Sequence, residues 1–415
     1  MKKYLSDFLN TFDERGFLHQ CSDSEGLDKE LKKTVVAYIG FDCTAKSLHV
    51  GSLIQIMTLR HLQKHGHTPV VLIGGGTSQV GDPSGKEEGR KMLSEKEINK
   101  NAQNIKKVFS KFLNFRGKNK AIFINNSEWL NKLNYIKFLR DFGKHFTINK
   151  MLTMDSVKLR LDREQHLSFL EFNYMVLQAY DFLKLSKKYN CKLQIGGSDQ
   201  WGNIVGGADL TRRISGKTVY GLTTPLLTTA SGDKMGKTSS GAIWLDEKML
   251  SSYEYWQFWR NTNDADVVRF LKLFTELPLG EIKKIENVQG QELNEAKMIL
   301  ATECTKLLHG AKKAEEAKDA ALQVFEKGVV TKNLPSKNLS RNIIKKTINA
   351  PDLLLETNMC QSKSEVRKLI RGGGIKCNDK AITDELYRFS EKDLINNSYL
   401  KLSVGKKRHL IVKII

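Results

Sequence analysis

Hydrophobic and polar positions divide the chain into segments of different period. Residues 34 to 83 pass from an apolar run, TVVAYIGFD, through a helix-patterned stretch from Gly51 to about His65, into a second apolar run, PVVLIGGG. Short runs rich in Val, Ile and aromatics read as strands, and apolar residues three and four apart between them read as helix. AIFINN (121 to 126) and KLQIGGSD (192 to 199) repeat the theme, each closing on polar residues or glycines before a helical pattern. Apolar strands separated by helices predict a parallel α/β sheet, with ligands bound beyond the carboxyl ends of its strands.

The pattern changes from 246 to about 330, where aromatics sit on charged helical faces (YEYWQFWRNT), and a separate α-helical region is expected. The stretch 331 to 351 contains no acidic residue and reads as a basic linker. Residues 352 to 415 then form a small mixed α+β unit.

Composition adds a partner class. The 415 residues carry a net charge of +21, and residues 331 to 415 hold eighteen Lys/Arg against eight Asp/Glu, a net of +10. So strong a local excess points to a polyanion such as nucleic acid. The six cysteines (21, 43, 191, 304, 360 and 377) form no C-x-x-C pair, which implies a reducing compartment and no structural zinc. The N-terminus has acidic residues early and no long apolar core, unlike a secretory signal, and no run reaches membrane-spanning length. A cytoplasmic protein with no membrane partner is expected.

Four stretches hold candidate chemistry. IGGGTSQVGDPSGK (73 to 86) has glycines for close approach to an anion, yet the spacing from Gly81 to Gly85 is not that of a P-loop, and a structural turn remains open. In QIGGSDQWGN (194 to 203), Asp199 suits either ribose hydroxyls or the cap of the next helix. SGDKMGKTSSG (231 to 241) sets two lysines three apart in a Gly/Ser-rich run, either a loop that closes on polyphosphate or a solvated turn. SLHVGS (47 to 52) places His49 at the mouth of a helix. His61, His65 and His67 lie at a predicted helix end, which explains them without a metal.

Together, YIGFDCTAKSLHVGS, GDPSGK, GGSDQWGN and KMGKT follow the order and approximate spacing found in bacterial-type tyrosyl-tRNA synthetases. FLRDFGKHFTINKML (138 to 152) and SFLEFNYMVLQAYDF (168 to 182) also resemble segments of that class I family. The resemblance implies a Rossmann-like parallel-sheet catalytic domain over 1–245 with a dimer-forming insertion at about 110–170, including Phe169. An α-helical anticodon-binding domain (246–330), the basic linker (331–351) and an S4-like α+β RNA-binding domain (352–415) follow.

It further implies tyrosine activation with ATP and Mg2+, transfer to tRNA(Tyr), and a homodimer. Thr44 and His49 would bind the γ-phosphate, with Lys86, Arg90, Lys234 and Lys237 supplying charge from mobile loops. The nucleotide side would comprise Gly40, Asp42, His49, Gly51, Ser52, Gly197, Asp199 and Lys237. Tyr38 and Asp181 would meet the phenol hydroxyl, Asp82, Tyr174 and Gln178 the ammonium, and Gln200 the carboxylate. Helical register independently sets Tyr174, Gln178 and Asp181 on one face.

At the C-terminus, Lys363, Arg367 and Arg371 form a basic stripe after a Ser362 cap, an RNA contact by this resemblance. Two rivals are a tryptophan-specific relative and a catalytically inactive RNA-binding protein on the same scaffold. Ser52 departs from the family signature, which usually carries a second histidine there.

Overall fold

TVVAYIGFD becomes the centre of a six-stranded sheet. Strands β1 (Gln20–Cys21), β2 (Val36–Asp42), β3 (Thr68–Gly74), β4 (Ile122–Asn125), β5 (Cys191–Gly197) and β6 (Tyr220–Thr224) lie in the order β1-β6-β5-β2-β3-β4. All neighbours are parallel except β1, which pairs antiparallel with β6. Most residues of β2, β3 and β5 are buried, because helices cover both faces of a parallel sheet. That explains their continuous rather than alternating apolar pattern. The computed structural model describes residues 3–84, 93–230, 232, 235–238, 241–327, 335–345, 347–395, 398–405 and 408–415.

The chain runs from β2 outward through β3 to β4, then returns to add β5 and β6 on the other side of β2. Such a reversal opens a crevice beyond the strands' carboxyl ends. The connecting helices include Leu53–Lys64 after β2, Tyr174–Tyr189 before β5 and Trp201–Ser215 after it. Asn190, in the left-handed conformation at φ 51°, ends the second of these and turns the chain into β5. Between β4 and β5 lie several short helices from Ser127 to Phe172.

This sheet belongs to a compact unit formed by Met1–Gly236, Trp244–Asp246 and Asn263–Val288. The second unit comprises Lys237–Ile243, Glu247–Thr262 and Gln289–Ile415. In it, helices Ser252–Arg260, Gly290–His309 and Ala311–Lys327 pack together, with Tyr255, Trp256 and Trp259 buried. A five-stranded sheet follows, in the order Lys380–Ala381, Ile375–Cys377, Tyr399–Val404, Arg408–Ile414 and Ser336–Leu339.

The composition-based linker at 331–351 is therefore partly structural. Ser336–Leu339 pairs in parallel with Arg408–Ile414, and Ile348–Asn349 pairs with Arg388–Phe389. Edge strands need few apolar residues, so a polar sequence concealed them.

Candidate active site

A cleft of about 440 Å³ opens at the carboxyl ends of β2 and β5. Tyr38, Gly40 and Asp42 from β2, His49, Gly51 and Ser52 from the following turn, and Gly197, Asp199 and Gln200 after β5 all line it. Asp82 and the helical face of Tyr174, Gln178 and Asp181 complete the wall. Thirteen of the residues singled out from the sequence thus meet in one place. Thr44 is exposed two residues beyond β2 and does not line the cleft. Lys86, Arg90 and Lys234 lie outside the described residues, as does the side chain of Lys237, whose backbone pairs with Ala242.

At the deep end, Asp181 is only 2% exposed. Its Oδ1 accepts from Trp129 Nε1 at 2.7 Å and its Oδ2 from Asn126 Nδ2 at 2.9 Å. Burial pushes this carboxyl up to about 7, against the pull of the two donors, and the charge of Asp42 adds to the rise. Tyr38 shares this end, and burial together with Asp181 holds its phenol well above the ordinary range. Among the described residues, the Tyr38 hydroxyl has no hydrogen-bond partner.

The same is true of Gln55 Oε1, Gln178 Oε1 and Gln194 Oε1, which line this cleft. Four orphaned polar atoms lining one cleft are costly unless a ligand supplies their partners. Their convergence marks a site built for a polar guest.

Nearer the mouth, the side chains hold one another. Gln200 donates from Nε2 to Asp82 Oδ2 at 2.9 Å, and its Oε1 accepts from Gln178 Nε2 at 3.3 Å and from Asn203 Nδ2 at 3.2 Å. Tyr174 donates its hydroxyl to Asp42 Oδ2 at 3.2 Å. With Asp42, Asp82, Asp181 and Asp199 around one cavity, a cation or a hydroxyl-rich ligand is favoured.

His49 caps the short turn Val50–Ser52, its Nδ1 accepting from the Gly51 N–H at 3.0 Å. Gly51 is required by close approach: a Cβ there would stand 2.6 Å from His49 Cε1 and 3.0 Å from the Met235 carbonyl. The KMGKT stretch, through Met235 and Gly236, thus abuts the HVGS turn. Trp244 forms an antiparallel backbone bridge to His49. Ser52 lines the cleft but makes no capping bond to the helix Leu53–Lys64.

The remaining alternatives resolve similarly. The triple glycine is no phosphate loop, because the Gly75 and Gly76 N–H groups donate to Asn125 Oδ1 at 3.1 Å and Asn126 Oδ1 at 2.8 Å. Gln200, not Asp199, occupies the cap of the helix Trp201–Ser215. His65 contacts Thr11 at 3.1 Å and His67 accepts from Val35 N at 3.2 Å, so these histidines have structural partners of their own. Asn126, Trp129, Gln194 and Gln55 were not singled out from the sequence. The only signal for the first two was their position after an apolar strand.

On the C-terminal unit, the Ser362 cap is present, accepting from Glu365 N at 3.1 Å. Lys363, Arg367 and Arg371 are exposed, opposite buried Val366 and Ile370. Lys363 pairs with Asp352 at 2.6 Å and Arg371 with Glu385.

Residues 29–326 match the family model described as tRNA synthetases class I (W and Y). Residues 325–412 match that of the tyrosine–tRNA ligase SYY-like C-terminal domain. A tyrosine–tRNA ligase of Rickettsia bellii (strain RML369-C) is 57% identical over 409 residues, covering 98% of this chain and 100% of the relative. One from Rickettsia felis (strain ATCC VR-1525 / URRWXCal2) is 56% identical with the same coverage. A C-terminally truncated mitochondrial tyrosyl-tRNA synthetase of Aspergillus nidulans superposes with a TM-score of 0.70 at 36% identity, covering 78% of this chain and 95% of that one.

Proposed function

The chain belongs to the tyrosyl-tRNA synthetases of class I, and from that membership we propose how its own residues share the work. Its activity is that of a tyrosine–tRNA ligase, and neither a tryptophan-specific nor an inactive scaffold fits as well. The observation that carries the residue assignment is the buried Asp181 carboxylate beside the partnerless Tyr38 hydroxyl. A phenol hydroxyl gives the Tyr38 hydroxyl its missing partner and Asp181 one further donor, whereas phenylalanine leaves the Tyr38 hydroxyl unpaired at a cost of about 1–3 kcal/mol.

Asp82, Tyr174 and Gln178 take the ammonium, and Gln200 lies near the carboxylate. That carboxylate, already ionised, attacks the α-phosphorus of ATP; the bond to the bridging oxygen breaks, leaving tyrosyl-adenylate and pyrophosphate. No general base is needed, so catalysis rests on positioning and on charge placed where negative charge develops. His49, in the turn after β2, is assigned to the phosphates together with Lys86, Arg90, Lys234 and Lys237; Thr44, exposed and outside the cleft lining, joins them on the family pattern alone. Gly40, Asp42, Gly51, Ser52, Gly197 and Asp199 hold the nucleoside, and magnesium arrives with the phosphates as Mg-ATP. In the second step, the terminal ribose hydroxyl of tRNA(Tyr) attacks the adenylate carbonyl and AMP leaves.

The fold and its partners complete the reading. Ile136 is 70% exposed and Phe169 69%, and Tyr135, Ile148 and Leu159 lie open on the same insertion. We assign this apolar surface to a second copy of the chain. No helix among the described residues is long and apolar enough to cross a membrane, and all six cysteines are free. A cytoplasmic location suits both. The C-terminal stripe Lys363, Arg367 and Arg371 binds the tRNA backbone, and residues 246–330 the anticodon region.

The test is tyrosine-dependent ATP–pyrophosphate exchange with phenylalanine and tryptophan as controls. Exchange with tyrosine alone is expected; exchange with tryptophan alone would overturn the pocket assignment. Light scattering should give a dimer mass that Phe169→Glu shifts toward the monomer.

A further inference from the structure

Thr77 stands between the two halves of the cleft. Its hydroxyl donates to Asp42 Oδ1 at 3.0 Å and accepts from Asn126 Nδ2 at 3.1 Å. The same Asn126 nitrogen donates to Asp181 Oδ2 at 2.9 Å, and Asn126 Oδ1 accepts from Gly76 N at 2.8 Å. Thr77, Asn126 and Asp181 are 3%, 1% and 2% exposed, so water does not compete for these bonds.

The direction of each bond follows from donor chemistry. An ionised Asp42 accepts only, so the Thr77 proton points at it and the Thr77 lone pairs face Asn126. The Gly76 N–H fixes the amide oxygen of Asn126, and both amide protons are then assigned: one to Asp181, one to Thr77. The amide has no second orientation that satisfies this set. Without the Thr77 hydroxyl, one amide proton loses its acceptor, and the amide can tilt away from Asp181.

We propose that Thr77 is a positioning residue for amino-acid selection: acting through Asn126, its hydroxyl holds the Asp181 carboxylate where it accepts a hydrogen bond from a phenol hydroxyl. The inference rests on the assignment of Asp181 to the phenol end. Its consequence is selective. Tyrosine uses the aligned carboxylate, whereas phenylalanine makes no bond there and is indifferent to the alignment.

The experiment compares Thr77→Val and Thr77→Ser in the full chain, reading kcat/KM for tyrosine and for phenylalanine by ATP–pyrophosphate exchange. Thr77→Val is expected to lower the tyrosine-to-phenylalanine ratio about three- to ten-fold, the loss of one buried hydrogen bond, while phenylalanine changes by less than about two-fold. Thr77→Ser, which keeps the hydroxyl, is expected to preserve the ratio. In an Asn126→Ala background, Thr77→Val should have no further effect on the ratio, because the hydroxyl acts through that amide.

Equal losses for both amino acids, failure of serine to preserve the ratio, or additive effects with Asn126→Ala would each overturn the proposal. If thermal unfolding shows that Thr77→Val does not fold, the comparison of Thr77→Ser with Thr77→Ala decides in the same way. A parent enzyme giving no tyrosine exchange would instead strike the assignment of the cleft.

Discussion

The indole N–H of Trp129 meets Asp181 Oδ1 at 2.7 Å, joining residues 52 positions apart in the chain. This bond and that from Asn126 keep a buried carboxylate available as an acceptor although burial raises it to about 7.

A pH dependence follows from that balance. Protonation weakens Asp181 as an acceptor, so kcat/KM for tyrosine should fall as pH drops below about 7. Trp129→Phe removes a donor that favours the ionised form, so its acid limb should move to higher pH. The pH profile of tyrosine-dependent exchange measures both; a limb moved to lower pH would contradict the assignment.

Gly51→Ala should damage nucleotide activation and leave tyrosine binding intact. The added methyl would lie 2.8 Å from His49 Nδ1 and 3.0 Å from the Met235 carbonyl, so the imidazole or the neighbouring loop must shift. A fall in kcat of at least about ten-fold, equivalent to roughly 1.4 kcal/mol, is expected with little change in tyrosine Kd. Stopped-flow adenylate formation and equilibrium tyrosine binding separate the two effects.

The buried histidines should make the fold acid-sensitive. Burial holds His61 down to about 3 and His67 to about 4, against an ordinary 6.5, and Arg15, His65 and Lys64 oppose protonation of His61. Both are neutral when folded, so their stabilising contribution is complete above pH 6.5 and declines as pH falls toward 4 and 3, where the folded forms titrate. The urea midpoint should therefore fall between pH 7 and pH 5, and His61→Leu should flatten that slope.

Reversing charge at Lys363, Arg367 and Arg371 together should spare adenylate formation and weaken tRNA binding. Each lost phosphate contact should reduce the slope of log affinity against log salt by about 1. Filter binding across a salt series reads the slope; unchanged affinity would remove this face from the RNA interface.

Much of the architecture was legible because periodicity is local. Continuous apolar runs identified β2, β3, β4 and β5, and a helical register placed Tyr174, Gln178 and Asp181 on one wall of the cleft. Edge pairing was not legible. Ser336–Leu339 has a polar sequence, and only its partner Arg408–Ile414, about seventy residues on, makes it a strand.

By itself, the sequence determined the class of chemistry: glycine, histidine and lysine signatures in a family order, an α/β pattern around them, and a basic tail. It also specified local turns such as the left-handed Asn190, which acts on its immediate neighbours, whereas Gly51 answers both to nearby His49 and to the distant Met235 carbonyl. What tertiary structure alone decided is how the buried Asp181 carboxylate is held. Asn126 and Trp129 come from the cap and body of the short helix Ser127–Leu130 after β4, Thr77 from the helical turn after β3 and Asp181 from the helix Tyr174–Tyr189, and nothing in their spacing announces a shared network. Hydrogen bonds form over about 3 Å whatever the sequence separation, so such a network exists only once the sheet has brought its strand ends together.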